Sequence, residues 1–532
     1  MADNEVTDRG STRGDRYDDS GDYDEIEHQS PGERADEVPE STNRNRWIGL
    51  AAGLVVAVAV YFLMPGDVEH PARLTAATAL LMGIWWMTEA IPIAATALLP
   101  LIIFPILGDD VAMGDVGASY GSDIIFLFMG GFLIALAMQR WNLHRRIALL
   151  TVRAVGTKPG TMIGGFMLAT AFLSMWVSNT ATAVMMLPIG VSVLVLVATL
   201  DDDAPAGSDG KVDVQEIVHK TNFGTAMMLG IAYAASIGSL GTIIGTPPNT
   251  LLVGYLDEEQ DISIGFGQWM IAGVPLAAVF LVIAWFLLTK VLFKPEMDEI
   301  PGGRELIEDE IQKLGPLSQG EIRVAVMFVT AASCWVGIPL IWDEPVVSDA
   351  GIAMIIGVLL FLLPAGAARG VRLLDWETAI KLPWGVLLLF GGGLALSSQF
   401  GSSGLTDYIG EQAERLGGVP VVLLIVVITA GVIFLTELTS NTATAATFLP
   451  VAGGVALGLD MDPMLLTIPV ALAATCAFML PVATPPNAVA YGSGYISIAN
   501  MVKGGVWLNL IGIVLVPITM FTLMTWALGI SV

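Results

Sequence analysis

Two short polar motifs each occur twice in a chain that is otherwise strongly apolar. Ser-Asn-Thr-Ala-Thr-Ala stands at 178–183, here called the first tip, and at 440–445, the second tip; Thr-Pro-Pro-Asn stands at 246–249 and 484–487. Hydroxyl, amide and backbone oxygens can hold a hard cation such as Na⁺, and N–H and O–H groups donate to an anion. The motifs therefore predict a site for ions.

The same residues predict breaks in helices. Two consecutive prolines remove amide donors and force the preceding residue out of helical geometry, yet proline suits the first turn of a new helix. Ser, Asn and Thr are good caps for a helix that restarts. Four half-helix ends are thus expected to converge, where C-terminal ends offer carbonyls to a cation and N-terminal ends offer amides to an anion.

The chain has 532 residues, 54% of them hydrophobic, with a mean hydropathy of +0.71. It contains repeated apolar runs of about 20 residues, enough to cross a bilayer, so we expect an integral membrane protein. Irregular backbone inside a membrane is tolerated only where protein or a water-filled cavity satisfies it. The motifs therefore also predict a cavity.

The net charge of −26 lies mainly in hydrophilic segments: 1–46, 199–222 and 294–323 carry −8, −4 and −4 of it. This pattern favours a halophilic source, with an ordinary acidic tail as the alternative, and makes nucleic acid an unexpected partner. Residues 1–46 lack apolar periodicity and are predicted to be a disordered acidic cytoplasmic tail. Cys334 and Cys476 are the only cysteines, so no disulfide framework is expected.

Eleven apolar segments predict transmembrane helices, which begin near Trp47, Arg73, Ile91, Asp123, Asn222, Phe266, Arg323, Ala350, Leu382, Leu465 and Gly504. Two longer stretches, about 159–198 and 419–457, are interrupted midway by the tips and are predicted to be re-entrant hairpins. This arrangement places eighteen basic residues inside and only Arg73 and Arg415 outside. It predicts a cytoplasmic N-terminus and an extracellular C-terminus.

An internal repeat divides the chain. Residues 123–137 resemble 384–397, and the tips and Thr-Pro-Pro-Asn motifs follow in the same order. Each unit holds five spans, and because five is odd the second unit is inverted relative to the first, as in many secondary transporters. The predicted domains are a first transmembrane helix at 47–70, inverted repeats at 71–293 and 323–532, and an acidic cytoplasmic linker at 294–322. The fold is expected to be all-α, with one broken helix in each repeat.

The spans around these motifs contain no Lys or Arg, so bound sodium ions are the expected partners of a divalent anion. Glu437 is the one acidic residue at the tips, which argues against a proton relay built from carboxylates. It is either functional or merely the end of a half-helix.

Three segments, SNTATAVMMLPI at 178–189, ELTSNTATAATFLP at 437–450 and CAFMLPVATPPNAVAYG at 476–492, resemble the divalent anion/sodium symporter family of dicarboxylate, citrate and sulfate carriers. The likeness covers nearly everything after residue 46. It implies a homodimer in the cell membrane, with a scaffold domain and a transport domain that moves like an elevator.

The resemblance also implies specific ligands. One sodium ion is expected at Ser174, Ser178, Asn179 and the Gly245 carbonyl. A second is expected at Thr436, Thr439, Asn441 and the Ala483 carbonyl. The substrate is expected to contact Asn179, Thr180, Asn441, Thr442, Thr484 and Thr246.

We therefore expect Na⁺-coupled uptake of a divalent anion, with a C4-dicarboxylate (succinate, malate or fumarate) favoured over sulfate because the linker is too short for the regulatory domain of some sulfate carriers. A sodium-independent dicarboxylate exchanger is the first alternative, disfavoured by the extra oxygens of Ser174 and Thr436. A membrane-embedded enzyme or sensor is the second. It lacks support because no intramembrane His, Cys or paired carboxylates form a catalytic group, and no signalling domain is present.

Overall fold

The structure, a computed structural model, describes residues 38–156, 158–199, 221–297, 299–300, 302–342, 346–416 and 418–531. Within these ranges the secondary structure is helical, apart from one isolated β-bridge between Pro364 and Arg372. The prediction of an all-α chain is therefore confirmed. Each of the eleven predicted spans contains a helix, and seven helical segments of the described chain are long and apolar enough to cross a membrane. The count of eleven crossings stays a prediction.

Twelve α-helices of the described chain precede the predicted linker. They are α1 Glu40–Leu63, α2 His70–Thr88, α3 Ile93–Thr96, α4 Pro100–Leu107, α5 Met113–Ala118, α6 Asp123–Arg140, α7 Leu143–Val155, α8 Pro159–Ser174, α9 Asn179–Thr199, α10 Asn222–Ser239, α11 Pro247–Gln260 and α12 Phe266–Phe286. A π-helical segment, Leu287–Leu292, continues α12.

The second part repeats much of this order after a short linker helix. Its helices are α13 Gly303–Lys313, α14 Gln319–Ile341, α15 Asp349–Leu362, α16 Trp376–Ala379, α17 Trp384–Ser402, α18 Leu405–Ala413, α19 Val421–Thr436, α20 Asn441–Gly458, α21 Met464–Thr475, α22 Pro485–Gly492, α23 Ile498–Thr519 and α24 Thr525–Leu528. A π-helical segment, Met520–Met524, follows α23 as its counterpart follows α12.

The predicted breaks are present in both halves. Residues 175–178 separate α8 from α9, and residues 437–440 separate α19 from α20, so each tip begins in the gap and forms the first turn of the returning helix. The broken spans are α10–α11, with the unwound segment 240–246 (the first break), and α21–α22, with 476–484 (the second break). Thr246 and Thr484 are extended, with φ of −145° and −142°, as expected for a residue before proline.

One boundary differs from the prediction. Helix α1 begins at Glu40, so residues 40–46 are helical rather than part of a disordered tail, and the first helix ends at Leu63 rather than near 70. Glu40 lies in the first turn, where an acidic side chain interacts favourably with the helix dipole. Residues 1–37 of the predicted tail lie outside the described residues.

The predicted linker is folded against α7. Arg145 Nη2 donates to Glu310 Oε2 at 2.7 Å, and Arg146 Nε donates to Glu321 Oε1 at 2.7 Å. Lys313 and Arg145 both donate to Glu310, and these bonds hold the pKa of its carboxyl below the usual value. Glu321 is buried and also closes a capping box with Ser318 at the start of α14. The acidic linker is thus tied to basic residues of α7.

The equivalent helices α6 and α17 meet through aromatic rings, and each also packs through a glycine against another segment. The rings of Phe128 in α6 and Phe390 in α17 lie 4.8 Å apart. Gly130 packs against the backbone of Ala353, and Gly392 packs against the backbone of Ala97. Gly130 and Gly392 therefore allow close helix packing.

We predict that Gly392→Ala destabilises the protein. A Cβ at Gly392 would overlap the carbonyl oxygen of Ala97, a backbone atom that cannot move aside cheaply, and overpacking of this kind costs about 1–3 kcal/mol. The measurement is the melting temperature of the detergent-purified protein. Gly431→Ala in α19 is the matched control, because nothing lies within 4 Å of a Cβ there. Equal melting temperatures for both variants would contradict the close-packing account.

Candidate ion-binding site at the helix breaks

Both tips and both breaks line one cavity of about 1130 Å³. The lining includes residues 178–181 and 438–442 from the tip regions and 244–247 and 482–486 from the broken spans. The structure thus brings all six predicted substrate residues to the same cavity wall: Asn179, Thr180, Thr246, Asn441, Thr442 and Thr484.

The first tip is held by a buried serine. Ser174 Oγ lies 2.6 Å from Asn179 Oδ1 and 2.6 Å from the carbonyl oxygen of Ala235 in α10. Asn179 Nδ2 donates to Ser239 Oγ at 3.3 Å, and Ser178 Oγ accepts from the amide of Ala181. These contacts fix the side chain of Asn179 between the tip and the broken span.

The second tip repeats this arrangement with a threonine. Thr436 Oγ1 lies 2.7 Å from Asn441 Oδ1 and 2.9 Å from the carbonyl oxygen of Ala474 in α21. Thr439 Oγ1 donates to Leu435 O at 3.0 Å and lies 2.7 Å from Thr444 Oγ1. Its hydroxyl is therefore hydrogen-bonded within the second tip.

The predicted sodium ligands separate into two layers. Ser178, Asn179 and Gly245, together with Thr439, Asn441 and Ala483, line the cavity. Ser174 and Thr436 are fully buried and lie behind the tips. Gly245 is required by packing, because a Cβ there would overlap the carbonyl oxygen of Ser239.

The asparagines of the Thr-Pro-Pro-Asn motifs lie behind the cavity wall and hold the breaks. Asn249 Nδ2 donates to the carbonyls of Thr242 at 2.9 Å and Ser239 at 3.4 Å. Asn487 Nδ2 donates to the carbonyls of Leu480 at 3.1 Å and Ala477 at 3.3 Å. The Pro-Pro pairs alone predict the breaks; this function of the asparagines was not predicted, although the asparagine follows Pro-Pro in both motifs.

Two basic side chains, Arg46 from α1 and Lys381 from the segment before α17, also line the cavity, together with Glu89. The spans around the motifs do lack Lys and Arg, so these residues were not predicted from the motifs. Arg46 and Lys381 bring positive charge to the cavity lining.

The family model of the sodium:sulfate symporter transmembrane region matches residues 44–530. The chain belongs to this family. The match confirms the predicted resemblance to sodium symporters of divalent anions and the prediction of a multi-pass membrane transporter rather than an enzyme.

Among its relatives is the sodium-dependent dicarboxylate transporter SdcS of Staphylococcus saprophyticus, 42% identical over 499 residues, which are 93% of this chain and 94% of the relative. SdcS of Staphylococcus aureus strain USA300 is 42% identical over 491 residues, or 91% and 92% of the two chains.

Two solved structures are similar in fold. The YdaH transporter of Alcanivorax borkumensis has a TM-score of 0.51 at 12% identity, with 85% of this chain and 98% of that chain covered. MtrF of Neisseria gonorrhoeae has a TM-score of 0.51 at 12% identity, with 92% and 96% covered. At this identity the likeness concerns the fold alone.

We predict that Asn487→Ala loosens the second break. The substitution leaves the buried carbonyl of Ala477 without this donor, and an unsatisfied buried group costs about 1–3 kcal/mol. The carbonyl of Leu480 keeps only the amide of Ala483. Hydrogen–deuterium exchange of peptides covering 476–484 is therefore expected to accelerate. The exposed Asn222→Ala serves as the control and should leave that exchange unchanged. Wild-type protection of 476–484 in Asn487→Ala would refute the bracing role.

Proposed function

We propose that this protein couples the entry of Na⁺ to the uptake of a divalent anion, namely a C4-dicarboxylate such as succinate, malate or fumarate. The observation that carries the proposal is the single cavity lined by both tips and both breaks. Membership of the sodium:sulfate symporter family supports the class of transport. The names of the SdcS relatives favour a dicarboxylate over sulfate as the substrate.

The oxygen clusters at the tips suit sodium. The Ser174 hydroxyl has one proton and lies 2.6 Å from both Asn179 Oδ1 and the Ala235 carbonyl oxygen, so three oxygen atoms converge at the first tip. Thr436 has the same surplus of acceptors. A bound cation relieves such crowding of lone pairs, because it attracts each oxygen.

We assign the first sodium ion to Ser174, Ser178, Asn179 and the Gly245 carbonyl. The second is assigned to Thr436, Thr439, Asn441 and the Ala483 carbonyl. The existing bonds of Thr439 make its backbone carbonyl the more available ligand of that residue.

The anion lies between the tips in this proposal. Its carboxylates accept hydrogen bonds from Asn179, Thr180, Asn441 and Thr442, and from the N-terminal amides of α9 and α20. Thr246 and Thr484 complete the contacts from the broken spans. No basic side chain comes from the tips or broken spans, so the two sodium ions supply the opposite charge, and coupling follows because ions and anion stabilise the same residues.

The proposed movement is an elevator-like slide of the tips and broken spans, which form the transport domain, past the remaining helices of a homodimer in the cell membrane. The distribution of basic residues supports a cytoplasmic N-terminus, an extracellular C-terminus and hairpins that enter from opposite sides. In this proposed orientation, Arg46 and Lys381 line the cytoplasmic side of the cavity.

We predict that Asn179→Ala and Asn441→Ala each abolish sodium-dependent uptake while leaving the protein folded. Each substitution removes an amide oxygen of a sodium site and a donor to the anion. The measurement is uptake of labelled succinate into proteoliposomes, with size-exclusion profiles as the test of folding and Asn222→Ala as the control. Wild-type uptake in either tip variant would refute the proposed site.

Sodium coupling itself predicts that wild-type uptake of succinate is driven by an inward sodium gradient and falls to background when potassium replaces sodium. Competition by malate and fumarate should exceed competition by sulfate, since a C4-dicarboxylate spans both tips. Uptake that is independent of sodium and requires dicarboxylate inside the proteoliposomes would identify an exchanger instead. Stronger competition by sulfate would overturn the choice of anion.

A further inference from the structure

Glu437 is a buried carboxylate next to the second tip. It is 3% exposed and lies directly after the last residue of α19. Its Oε1 accepts from the amides of Phe478 at 2.7 Å and Met479 at 2.9 Å and from Asn509 Nδ2 at 2.7 Å, while Oε2 accepts from the amide of Leu480 at 3.1 Å. All four partners are N–H donors, which is the pattern of an ionised carboxylate.

These bonds lead to a predicted sodium ligand. Residues 478–480 belong to the second break, and the carbonyl of Leu480 accepts from the amide of Ala483 at 3.2 Å and from Asn487 Nδ2 at 3.1 Å. The carboxylate of Glu437 thus accepts a hydrogen bond from the amide of Leu480, and the carbonyl of Leu480 accepts one from the amide of Ala483. The carbonyl of Ala483 is the oxygen that the second sodium site takes from this break.

The first half of the chain uses a neutral contact at the same place. Met175 follows Ser174 as Glu437 follows Thr436, and the hydroxyl of Thr242 in the first break donates to the backbone carbonyl of Met175. The carbonyl of Thr242 in turn accepts from the amide of Gly245 at 3.4 Å. The two breaks therefore share a geometry but differ in charge: a hydroxyl holds one, and a buried carboxylate holds the other.

We propose that Glu437 is a positioning residue that makes the two sodium sites unequal, an inference that rests on the proposed function. It acts through the backbone of 478–480 to preset the Ala483 carbonyl, and its negative charge adds to the attraction for a cation nearby. The second site therefore binds sodium more tightly than the first and fills before it.

The test is Glu437→Gln in the full-length protein. Glutamine keeps the shape but removes the charge and replaces one acceptor oxygen with an amide that cannot accept from a backbone N–H. The sodium concentration for half-maximal succinate uptake should rise about tenfold, as expected for the loss of a charge-assisted hydrogen bond. The KM for succinate and the maximal rate, both measured at saturating sodium, should stay near wild type.

The matched control is Met175→Gln, which places the same side chain at the equivalent position of the first half. The hydroxyl of Thr242 contacts the backbone carbonyl of Met175 and not its side chain, so this variant should keep the wild-type dependence on sodium. Glu437→Asp retains the charge and should fall between wild type and Glu437→Gln. An equal shift in both glutamine variants, or an unchanged sodium dependence in Glu437→Gln, would overturn the inference.

A second measurement needs no anion. The melting temperature of the purified protein, titrated with NaCl against KCl, should rise at a sodium concentration about tenfold higher in Glu437→Gln than in wild type. If Glu437→Gln does not fold, Glu437→Asp is titrated instead, and an unchanged midpoint there contradicts the proposal. Failure of the wild type to transport succinate refutes the proposed function, whereas this titration decides the role of Glu437 separately.

Discussion

Backbone polar groups cannot be left bare inside a membrane, and this constraint accounts for most features of the site. Each place where a helix stops and restarts leaves carbonyls and amides without their intrahelical partners. The side chains of Asn249 and Asn487 satisfy some of the carbonyls, and the carboxylate of Glu437 satisfies three of the amides. The groups that face the cavity are left for ligands. A site made from interrupted helices thus needs side chains that satisfy the backbone groups facing the protein interior. It also needs a cavity next to the backbone groups that bind the ligands.

The two halves of the chain offer nearly the same set of groups from two directions. Ser174 and Thr436 each contact the amide oxygen of the following asparagine and a carbonyl of a broken span. A dicarboxylate has the matching property, since it presents two similar charged ends. Two tips that each supply an asparagine, a threonine and a helix N-terminus are therefore a reasonable receptor for it, whereas sulfate offers one compact centre.

Much of the site could be predicted from local sequence, because proline, asparagine, serine and threonine have local effects on the backbone. The breaks at 240–246 and 476–484 follow from the Pro-Pro pairs, and the helix pairs around the tips follow from the polar interruptions. The internal repeat strengthened each of these predictions, because two independent copies of a motif agreed.

What the sequence could not predict depends on distant residues. The acidic residues of the linker lie in a hydrophilic segment, where solvent exposure is the simplest expectation. Glu310 and Glu321 nevertheless pair with arginines 165 and 175 positions away. Arg46 reaches the cavity because α1 begins earlier than its apolar run. Glu437 could be read as functional or as a helix end, and only its contacts with residues 41 to 72 positions later distinguish the two.

The most direct test of the account is a pair of cryo-EM maps of the protein with succinate, one in sodium and one in potassium. The account predicts an elongated anion between the tips, within hydrogen-bond distance of Asn179 and Asn441, with density for a cation behind each tip, and it predicts the loss of all three in potassium. An anion bound at Arg46 and Lys381 in both salts, with no density between the tips, would contradict it.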